Sequence, residues 1–438
     1  MPAKKKPVPS GGQQQAGLSP GVSSFHRIVY PWSSPIPVVR VEGDSYEMGR
    51  QFGAATRAII GRDVAFNLPT LEKVLARSNL GKKDYLAGIE GAIRRYTDPG
   101  YLDEINGMAE AAGVPYDSLL LVNCNVDILS TLPTPEQHER FFCSMFAAWG
   151  GATSGGSTIA GHNDDGARIM DQFAVLKVAR PKHGFPFVCP QVPGYLAYDC
   201  LVNANRLFVC GTAVDDRIKD SEAVYDGVPN WAIYRWLGQY SSGVEDGVAR
   251  LLASKSMTLK NWCFVGKDQG GRVVEATPRR HADMKYPSRS RDWVGVSTCT
   301  LCPELDPYLA KVDHPSSGDH RCASVKREVK ARYGTIDTGS AMEILSSHYD
   351  SSRSRNEASE HTPCRHMEFE NRFAGTCRTL VATFGTGEKE GTRIDVSLGN
   401  PCNGYWRELE LDGGFEIVSG YDEKAEGERH LARLLRSL

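Results

Sequence analysis

The sequence predicts an α+β protein, because helical and strand patterns occupy different parts of the chain. Before residue 142, apolar residues recur at helical spacing, for example from Lys82 to Tyr96 and from Tyr101 to Ala112. After residue 142, short runs of strand-forming residues dominate, and few of them alternate regularly with helices. A doubly wound parallel sheet is therefore not expected.

The first part of the chain is predicted to be a disordered tail. Residues 1 to 24 are rich in proline, glycine, glutamine and serine and carry a lysine cluster. No apolar stretch follows the lysines, so a secretory signal is not expected, and a solvated tail is favoured over a nuclear-import signal. Ordered structure should begin near Val38, where a short strand leads into a helix with Asp44 as N-cap and Glu47 three residues later.

Composition excludes several classes of protein. The 438 residues include 51 lysines and arginines against 53 aspartates and glutamates, a formal net charge of −2. This balance argues against nucleic acid or a membrane surface as the main partner. No run approaches the roughly 18 apolar residues of a membrane span. Twelve irregularly spaced cysteines are not a disulfide framework, so a reduced, cytoplasmic setting is expected.

The elements after residue 142 are predicted from local patterns. Strands are expected at Phe173 to Val178, Leu207 to Val209, Trp262 to Val265, Arg272 to Thr277, Thr379 to Phe384 and Ile394 to Leu398. Helices are expected at Trp231 to Leu252, Cys322 to Tyr333 and Ala341 to His348, and a mobile polar loop at Ser351 to Glu360. The aromatic residues of the first helix, from Trp231 to Tyr240, favour core packing over ligand stacking.

A β-hairpin is predicted around Cys143. One apolar run opens at this residue, a glycine-rich turn follows, and the second run ends in Asn163, Asp164 and Asp165. Strand alternation places Asn163 and Asp165 on one face and Asp164 on the other. A cysteine in such a strand is usually a small buried apolar residue. If the Phe142–Cys143 bond is cut, however, Cys143 carries both a thiol nucleophile and an α-amine base.

The two runs of this hairpin contain Cys-Ser-Met-Phe-Ala-Ala-Trp-Gly from residue 143 and Gly-His-Asn-Asp-Asp from residue 161. They resemble the maturation site of the acyl-coenzyme A:isopenicillin N acyltransferase family, which are cysteine N-terminal-nucleophile hydrolases of peptidase C45 type. Further similar segments occur in the same order at Val41 to Gly53, Gly227 to Pro229, Val274 to Pro278, Pro363 to His366 and Gly399 to Cys402. The resemblance spans roughly residues 38 to 415.

The resemblance implies a fold that periodicity alone does not. It is the four-layer αββα sandwich of N-terminal-nucleophile hydrolases, with two antiparallel sheets between helical layers. Residues 25–438 would form one domain, in which 25–142 are a mainly helical α-chain or pro-region and 143–438 a β-chain with the catalytic core. Cleavage would fall between Phe142 and Cys143.

The resemblance also implies an activity. It is that of a self-processing acyltransferase or amidohydrolase, which cleaves or transfers an acyl group of a small amide or thioester through a thioester on Cys143. No metal or other cofactor is expected, and coenzyme A thioesters are candidate acyl donors. The expected partners are the small-molecule substrate and the two chains of one precursor, while the oligomeric state is not predicted.

Site residues are carried over from the matching motifs. Asp165 and Asn163 are expected to assist maturation and substrate placement, although Asn-Asp-Asp-Gly is also a common way to open a loop. Arg365 is expected to bind a substrate carboxylate, with an exposed arginine as the alternative. Phe146 and Trp149, within the matching motif, are expected beside the substrate.

The chain departs from the family pattern at two positions. Relatives often carry Thr-Asn-His where this chain has Ser297-Thr298-Cys299, and the asparagine donates to the oxyanion. Thr298 then occupies the asparagine position, and its hydroxyl group extends less far from the backbone than an asparagine amide. Phe142 stands where well-known members have glycine, which narrows the backbone conformations open to the scissile bond.

Three alternatives stay open on sequence alone. The chain could be a conventional Cys–His peptidase, which stays uncut and uses His162 or His366. It could be a non-catalytic member that binds a small acyl compound, or a scaffold protein. Cys299-x-x-Cys302 is a weak metal or redox candidate, because it has no partner pair at zinc spacing.

Overall fold

The computed structural model describes residues 37–132, 142–167, 174–284, 292–369, 372–385, 391–403, 406–412 and 415. The tail predicted at residues 1–24 lies outside these ranges. None of the helices within them is long and apolar enough to cross a membrane.

Helices fill the first part of the described chain, as the apolar spacing predicts. The helices of this part are Ser45–Ala55 (α1), Arg57–Arg77 (α2), Lys82–Tyr96 (α3), Gly100–Ala112 (α4), Tyr116–Val122 (α5) and Asn125–Thr131 (α6). Further helices lie between the later strands, at Asn230–Tyr240 (α7), Val244–Ala253 (α8), Ser317–Ala331 (α9) and Thr338–Leu345 (α10).

Strands dominate the later part. They are Val38–Gly43 (β1), Phe142–Ala148 (β2), Thr158–Ala167 (β3), Val175–Pro181 (β4), Phe187–Gln191 (β5), Cys200–Asn203 (β6), Leu207–Ala213 (β7), Arg217–Ile218 (β8), Lys260–Gly266 (β9), Gly270–Ala276 (β10), His281–Asp283 (β11), Trp293–Val296 (β12), Leu309–Ala310 (β13), Tyr349–Asp350 (β14), Arg355–Asn356 (β15), His366–Phe369 (β16), Arg372–Phe384 (β17), Thr392–Leu398 (β18) and Arg407–Leu411 (β19).

Most of these strands belong to two large sheets. Eight strands form the first sheet, in the order β1-β4-β5-β6-β7-β9-β10-β11. Seven form the second sheet, in the order β12-β2-β3-β17-β18-β19, with β16 also paired to β17. Strands β8 and β13, and β14 and β15, form short separate ladders.

Apolar clusters show how the layers pack. Met145 and Val265 belong to a cluster that joins the two sheets face to face. Trp231 belongs to a cluster between the first sheet and helices α1 to α8. Phe146 and Val325 belong to a cluster between the second sheet and helices α9 and α10. The mixed α+β class predicted from the sequence is confirmed.

One strand pair departs from the antiparallel expectation. Strand β1 runs parallel to β4, with Val38 opposite Leu176. Parallel neighbours need a long crossover, and here the connection contains six helices and the β2–β3 hairpin. The first sheet is therefore mixed, and the prediction of two purely antiparallel sheets is wrong at this edge.

The helix predicted from Trp231 to Leu252 is broken into α7 and α8. Serine and glycine at positions 241–243 have low helix propensity. The amide and hydroxyl of Ser242 also donate to the Asp246 carboxylate, at 2.8 and 3.1 Å, which joins the segment between the helices to the first turn of α8.

The polar segment from Ser351 to Glu360 is more structured than a loop. It contains β15, which pairs with β14. The buried Asp350 carboxylate accepts from the amide of Ser352 at 2.8 Å and from the hydroxyl of Ser359 at 2.7 Å. A buried carboxylate whose oxygens are hydrogen-bonded in this way fixes the backbone on both sides of it.

Helix α1 begins at the predicted cap and packs tightly on α4. Oδ1 of Asp44 accepts from the amide of Glu47 at 2.9 Å. In a reciprocal capping box, the Glu47 carboxylate would also accept from the backbone amide of Asp44. Here it binds Arg50 instead, so this second hydrogen bond is absent from this part of the described chain. A Cβ at Gly49 would lie only 2.0 Å from the carbonyl oxygen of Glu104. Glycine is therefore required where the two helices meet.

We predict that Gly49→Ala lowers the free energy of unfolding by about 2 kcal/mol or more, because α1 and α4 must separate. Gly61→Ala is the matched control, since Gly61 also lies in a helix but has nothing within 4 Å of the added Cβ. That change should be neutral or stabilise the protein by up to about 1 kcal/mol. Chemical denaturation of both variants tests the prediction, and equal effects would contradict it.

Candidate active site around Cys143

Cys143 lies near the start of β2 and faces the first sheet. It is opposite Asp164 in the hairpin register, and Met145, two residues later, belongs to the core between the sheets. The buried Sγ atom lies 4.0 Å from Oδ2 of Asp199. Burial, reinforced by Asp199, Asp164 and Asp165, raises the pKa of the Cys143 thiol well above its ordinary value. The thiol is therefore protonated in the uncut chain.

Asp199 is itself held by a buried lysine. Nζ of Lys260 donates to Oδ1 of Asp199 at 2.6 Å and to the hydroxyl of Tyr234 at 3.1 Å. The ammonium lies 4.6 Å from the ring centroid of Tyr234 and 5.6 Å from that of Trp231. The carboxylate and the aromatic faces offset the desolvation of this lysine. Asp199 thus lies between a fixed cation and the Cys143 thiol.

Asp164 forms a second ion pair on this side of the hairpin. Its carboxylate accepts from both Nε and Nη2 of Arg378, and the Arg378 guanidinium lies 4.2 Å from the ring centroid of Tyr198. Burial raises the pKa of Asp164, and Arg378 opposes that shift. These residues and Asp199 line a cavity of about 10 Å³, which has room for one water molecule.

His162 also lines this cavity. Its Nε2 atom lies 3.0 Å from the carbonyl oxygen of Gly211, so Nε2 carries the proton. Burial lowers the pKa of His162 to about 4, and the ring is neutral at ordinary pH. No hydrogen bond in the described part of the chain joins His162 to the Cys143 thiol.

The carbonyl group of Cys143 is bound by side chains different from those around its thiol. Its oxygen accepts from Oγ of Ser297 at 2.7 Å and from Nη1 of Arg321 at 3.1 Å. Nη1 of Arg321 also donates to Oδ2 of Asp165 at 2.9 Å, and Nη2 donates to Oγ1 of Thr298 at 2.8 Å. One fully buried guanidinium therefore joins Cys143, Asp165 and Thr298, three of the predicted catalytic residues.

Asp165 connects this hydrogen-bonded group to the backbone of Arg365 through Thr376. The hydroxyl of Thr376 donates to Oδ1 of Asp165 at 2.7 Å, and the backbone amide of Arg365 donates to Oγ1 of Thr376 at 2.9 Å. Burial raises the pKa of Asp165, while Arg321 and Arg365 oppose the shift. Burial, together with Arg321, lowers the pKa of Arg365 to about 10. Arg365 is buried rather than exposed, and its binding of a substrate carboxylate stays a prediction.

The Asn163 side chain forms hydrogen bonds with two backbone carbonyl groups and a threonine, and not with the Cys143 thiol. Its Nδ2 donates to the carbonyl oxygens of Leu345 and Pro363 at 2.9 and 2.8 Å, and its Oδ1 accepts from Thr379 at 2.7 Å. These bonds fix β3 to the end of α10 and to the segment before Arg365. The structure does not bring the Asn163 side chain to Cys143, because adjacent positions of β3 face opposite sides.

Phe146 and Trp149 do not join the thiol either. Phe146 is an odd number of residues from Cys143 and so faces α9 and α10, within the apolar cluster there. Trp149 lies six residues along the chain from Cys143, about 20 Å in an extended strand. Its ring packs against Gly270 and Gly271, where an added Cβ would lie 3.0 and 2.9 Å away. The structure places both rings in packing contacts, and their contact with a substrate stays a prediction.

The side chains of Cys299 and Cys302 contact different partners. The pKa of Cys299 is raised by its hydrogen bond to Cys322, whereas Sγ of Cys302 lies 3.6 Å from the carbonyl oxygen of Ala282. Oε2 of Glu275 accepts from the amide of Cys302 at 2.7 Å. The glutamate of the Val274 to Pro278 motif thus supports the loop that follows Thr298, and the two cysteines do not face a common metal position.

Cys143, Asp164 and Asp199 could in principle hold a cation, since their donor atoms lie within 4.8 Å of one another. Both carboxylates, however, already bind a buried cation, Arg378 or Lys260. A metal ion would add positive charge to a group that is already neutralised, so this arrangement favours proton chemistry over metal binding.

Sequence reasoning missed the residues that surround the predicted ones. Arg321 lies in a helix whose pattern is only amphipathic, and nothing local marks it as buried. Asp199 precedes a short strand that the patterns did not predict. Lys260 is a usable signal, because a charged residue opens the mostly apolar strand β9, and a buried charge there needs a partner.

No family model and no curated protein matches the chain. Among solved structures, the chain is similar to a Caenorhabditis elegans N-acylethanolamine-hydrolyzing acid amidase ortholog, at 13% identity and TM-score 0.35, over 55% of this chain and 92% of that one. It is also similar to a mutant conjugated bile acid hydrolase from Clostridium perfringens, at 12% identity and TM-score 0.34, over 64% of this chain and 97% of that one. A second variant of that hydrolase gives 12% identity and TM-score 0.27, over 64% and 92%. Similarity at these scores assigns no activity to the chain.

We predict that His162→Gln removes part of the acid sensitivity of the fold. The folded pKa of about 4 lies below the ordinary value of 6.5. The unfolded chain therefore binds more protons between these values, and the stability of the parent falls as the pH drops through this window, by up to about 3 kcal/mol. Glutamine can still donate to Gly211 and does not titrate.

Urea denaturation of both proteins at about pH 7 and about pH 5 measures the difference in slope. Asp199, Lys260 and Arg378 surround position 162 in both proteins, so the comparison isolates the effect of the His162 ring. Equal pH dependence in parent and variant would show that His162 is not buried in its neutral form.

Proposed function

We propose that the chain is a self-processing N-terminal-cysteine enzyme that cleaves or transfers an acyl group from a small amide or thioester. Cys143 is the nucleophile and forms a thioester intermediate. We further propose that the fold is the four-layer arrangement of N-terminal-nucleophile hydrolases, with chains 1–142 and 143–438 produced from one precursor. Face-to-face sheets with helices on their outer sides support this assignment.

One observation carries the functional proposal. The buried Arg321 guanidinium binds the Cys143 carbonyl, Asp165 and Thr298, which lie in three different segments of the chain but form one hydrogen-bonded group. A cysteine that served only as a small core residue would need no such assembly beside its backbone. Preorganised donors around a nucleophile are, in contrast, the usual basis of acyl-transfer catalysis.

The first phase is cleavage of the Phe142–Cys143 bond. Sγ of Cys143 attacks the Phe142 carbonyl carbon while the thiol proton passes to Asp199, the nearest carboxylate at 4.0 Å. The C–N bond breaks as the former amide nitrogen takes a proton and becomes the α-amine, which leaves a thioester between Phe142 and Sγ. Water then hydrolyses the thioester, giving a carboxyl terminus at Phe142 and a free thiol.

The second phase is the acyl-transfer reaction. The α-amine of Cys143 takes the thiol proton, because its ordinary pKa is close to 8 and part of it is unprotonated near neutrality. Sγ attacks the substrate carbonyl, the amine or thiol leaving group departs with a proton, and water or an acceptor amine releases the acyl group. Coenzyme A thioesters are candidate donors, and neither step requires a metal.

Thr298 is the proposed oxyanion donor in place of the family asparagine. Its Oγ1 accepts from Arg321 at 2.8 Å, so its own hydroxyl proton stays available for the substrate oxygen. Because Arg321 fixes the rotamer, the short threonine side chain is held in place before the substrate binds.

Substrate access depends on maturation in this proposal. The cavity beside Asp164 and Asp199 measures about 10 Å³, far below the roughly 300 Å³ of a small-molecule pocket. The uncut chain is therefore expected to be inactive. A Cys–His peptidase, the principal alternative, would be active uncut and would need His162 or His366.

We predict that Cys143→Ala abolishes cleavage. Purified parent protein should give two fragments on a denaturing gel, and the variant one band, because alanine has no nucleophile. N-terminal sequencing of the larger parent fragment should begin Cys-Ser-Met-Phe. Cys263→Ala is the matched control, since this cysteine is also buried in a strand but belongs to the first sheet and not to the hairpin, and the variant should be cut like the parent.

An active, folded parent whose intact mass equals the full chain would overturn the maturation step. In that case His162→Ala and His366→Ala decide between the remaining alternatives. Loss of activity in either variant, with zinc content and thermal unfolding midpoint equal to those of the parent, would favour the peptidase. A parent that is neither cut nor active on a panel of acyl amides and acyl-coenzyme A thioesters would favour the non-catalytic binder.

We predict that Thr298→Val lowers kcat about 100-fold on the best substrate of that panel, with a small change in KM, because one oxyanion donor is lost. Thr298→Ser keeps the hydroxyl and should keep most of the activity. Intact-mass spectrometry must first show that each variant is fully cut, so that lost maturation is not mistaken for lost catalysis. A fully cut valine variant with parental kcat would exclude Thr298 from the oxyanion site.

A further inference from the structure

Four side chains outside the candidate active site bring sulfur and nitrogen donor atoms close together. They belong to His348, Cys364, His366 and Cys402, and all four donor atoms lie within 4.8 Å of one another. Nε2 of His366 lies 3.1 Å from Nε2 of His348, 3.4 Å from Sγ of Cys364 and 3.5 Å from Sγ of Cys402.

The donors come from segments far apart in the sequence. His348 follows α10, and Cys364 and His366 lie at the entry to β16, two residues apart, so that an extended backbone directs both to the same side. Cys402 lies in the short helical turn Pro401–Asn403 after β18. Two motifs from the sequence analysis, Pro363 to His366 and Gly399 to Cys402, therefore meet here, although the proposed function uses only Arg365.

The spacings are those of a tetrahedral zinc site. With Zn–N bonds of about 2.05 Å and Zn–S bonds of about 2.3 Å, tetrahedral geometry places two nitrogens about 3.3 Å apart and a nitrogen and a sulfur about 3.5 Å apart. The distances between the Nε2 atoms (3.1 Å) and from His366 to the sulfurs (3.4 and 3.5 Å) follow this pattern. The two imidazole rings lie at 78° to each other, so they approach the shared point from different directions.

A hydrogen-bonded cluster explains the arrangement less well. Nε2 of His366 has either one proton or one lone pair, yet three donor atoms lie around it. Two Nε2 atoms at 3.1 Å and two nearby sulfurs can be satisfied together by one cation, which accepts a lone pair from each.

A side-chain amide outside the donor set contacts one of the sulfurs. Nδ2 of Asn400 lies 3.5 Å from Sγ of Cys364 and donates to the carbonyl oxygen of Arg365 at 2.8 Å. An N–H group directed at a cysteine sulfur is a usual outer contact that orients a metal ligand. The same asparagine thereby links the donor cluster to the backbone of Arg365.

We propose that these four residues bind one Zn²⁺ ion in a closed, structural site. Two thiolates and two neutral imidazoles neutralise its charge and fill all four positions, so no position is open for catalysis. The ion would fasten the turn after β18 to the segment before β16. It would thus hold the backbone of Arg365, whose amide supports Thr376 and, through it, Asp165. No metal is expected from the sequence, and the zinc site would be structural, with no part in the acyl-transfer chemistry.

The test begins with metal analysis of the full-length protein, produced without a polyhistidine tag and passed through a chelating resin. Elemental analysis should find about one zinc per chain in the parent. Cys402→Ser and Cys364→Ser should each lower the content at least about tenfold. Cys302→Ala is the matched control and should keep the full content, since Cys302 belongs to the other cysteine pair.

A second measurement covers variants that fail to fold. The parent is stripped with a chelator and titrated with Co²⁺ alone, which should produce the strong visible absorption of tetrahedral cobalt bound to thiolates, lost on addition of Zn²⁺. Restored zinc should also raise the midpoint of thermal unfolding. Parent protein with less than about 0.1 zinc per chain and no tetrahedral cobalt spectrum would overturn the proposal, whether or not the Phe142–Cys143 bond is cut.

Discussion

The candidate site depends on one buried interaction, the contact of the Arg321 guanidinium with the Asp165 carboxylate. Both side chains are fully buried, and their closest atoms lie 2.9 Å apart. A lone charge in this position would be strongly unfavourable, and removal of one partner from such a pair typically costs about 3–5 kcal/mol. The pair is therefore fixed, and the other donor atoms of Arg321 are fixed with it, against Thr298 and the Cys143 carbonyl.

The position of Arg321 is set by the way α9 begins. Ser316 and Asp319 form a reciprocal capping box, which defines the first turn of the helix. The next constraint is Gly318, where a Cβ would lie 2.5 Å from Oγ1 of Thr298. The helix can approach the second sheet closely only because this position has no side chain. Local capping chemistry thus determines the geometry of a site that is formed by residues from β2, β3 and the loop after β12.

The sequence predicted the parts of the site that depend on short-range periodicity. The hairpin, and the separation of Asp165 from Asp164 onto opposite faces, follow from alternation along one strand. The partners Asp199 and Arg321 could not be predicted in this way, because which side chains face each other across two sheets and a helix layer depends on three-dimensional packing. The packing of Phe146 against α9 and α10 could not be predicted for the same reason, because Phe146 shares a motif with Cys143 but not a face.

The donor cluster around His366 and two short strands of the large sheets show the same limit. His348 and Cys402 are separated by more than 50 residues and have no zinc-like spacing, so counting cysteines in the sequence does not reveal them. The strands Cys200–Asn203 and Trp293–Val296 have only four residues each. Their buried runs are too short to distinguish from loops without the neighbouring strands that pair with them.

The charge balance explains why a cut at Cys143 would change the reactivity of the site. Three carboxylates surround the thiol region, and each is paired with a cation, as Asp199 is with Lys260. A thiolate formed in the uncut chain would add a negative charge that has no new partner, which is why burial and the carboxylates raise the pKa of the Cys143 thiol. After such a cut, the thiol proton would move to the α-amine of the same residue, and an ammonium would form beside the thiolate. The net charge of the buried group would then not change, so the proposed cleavage would remove the electrostatic opposition to this ionisation.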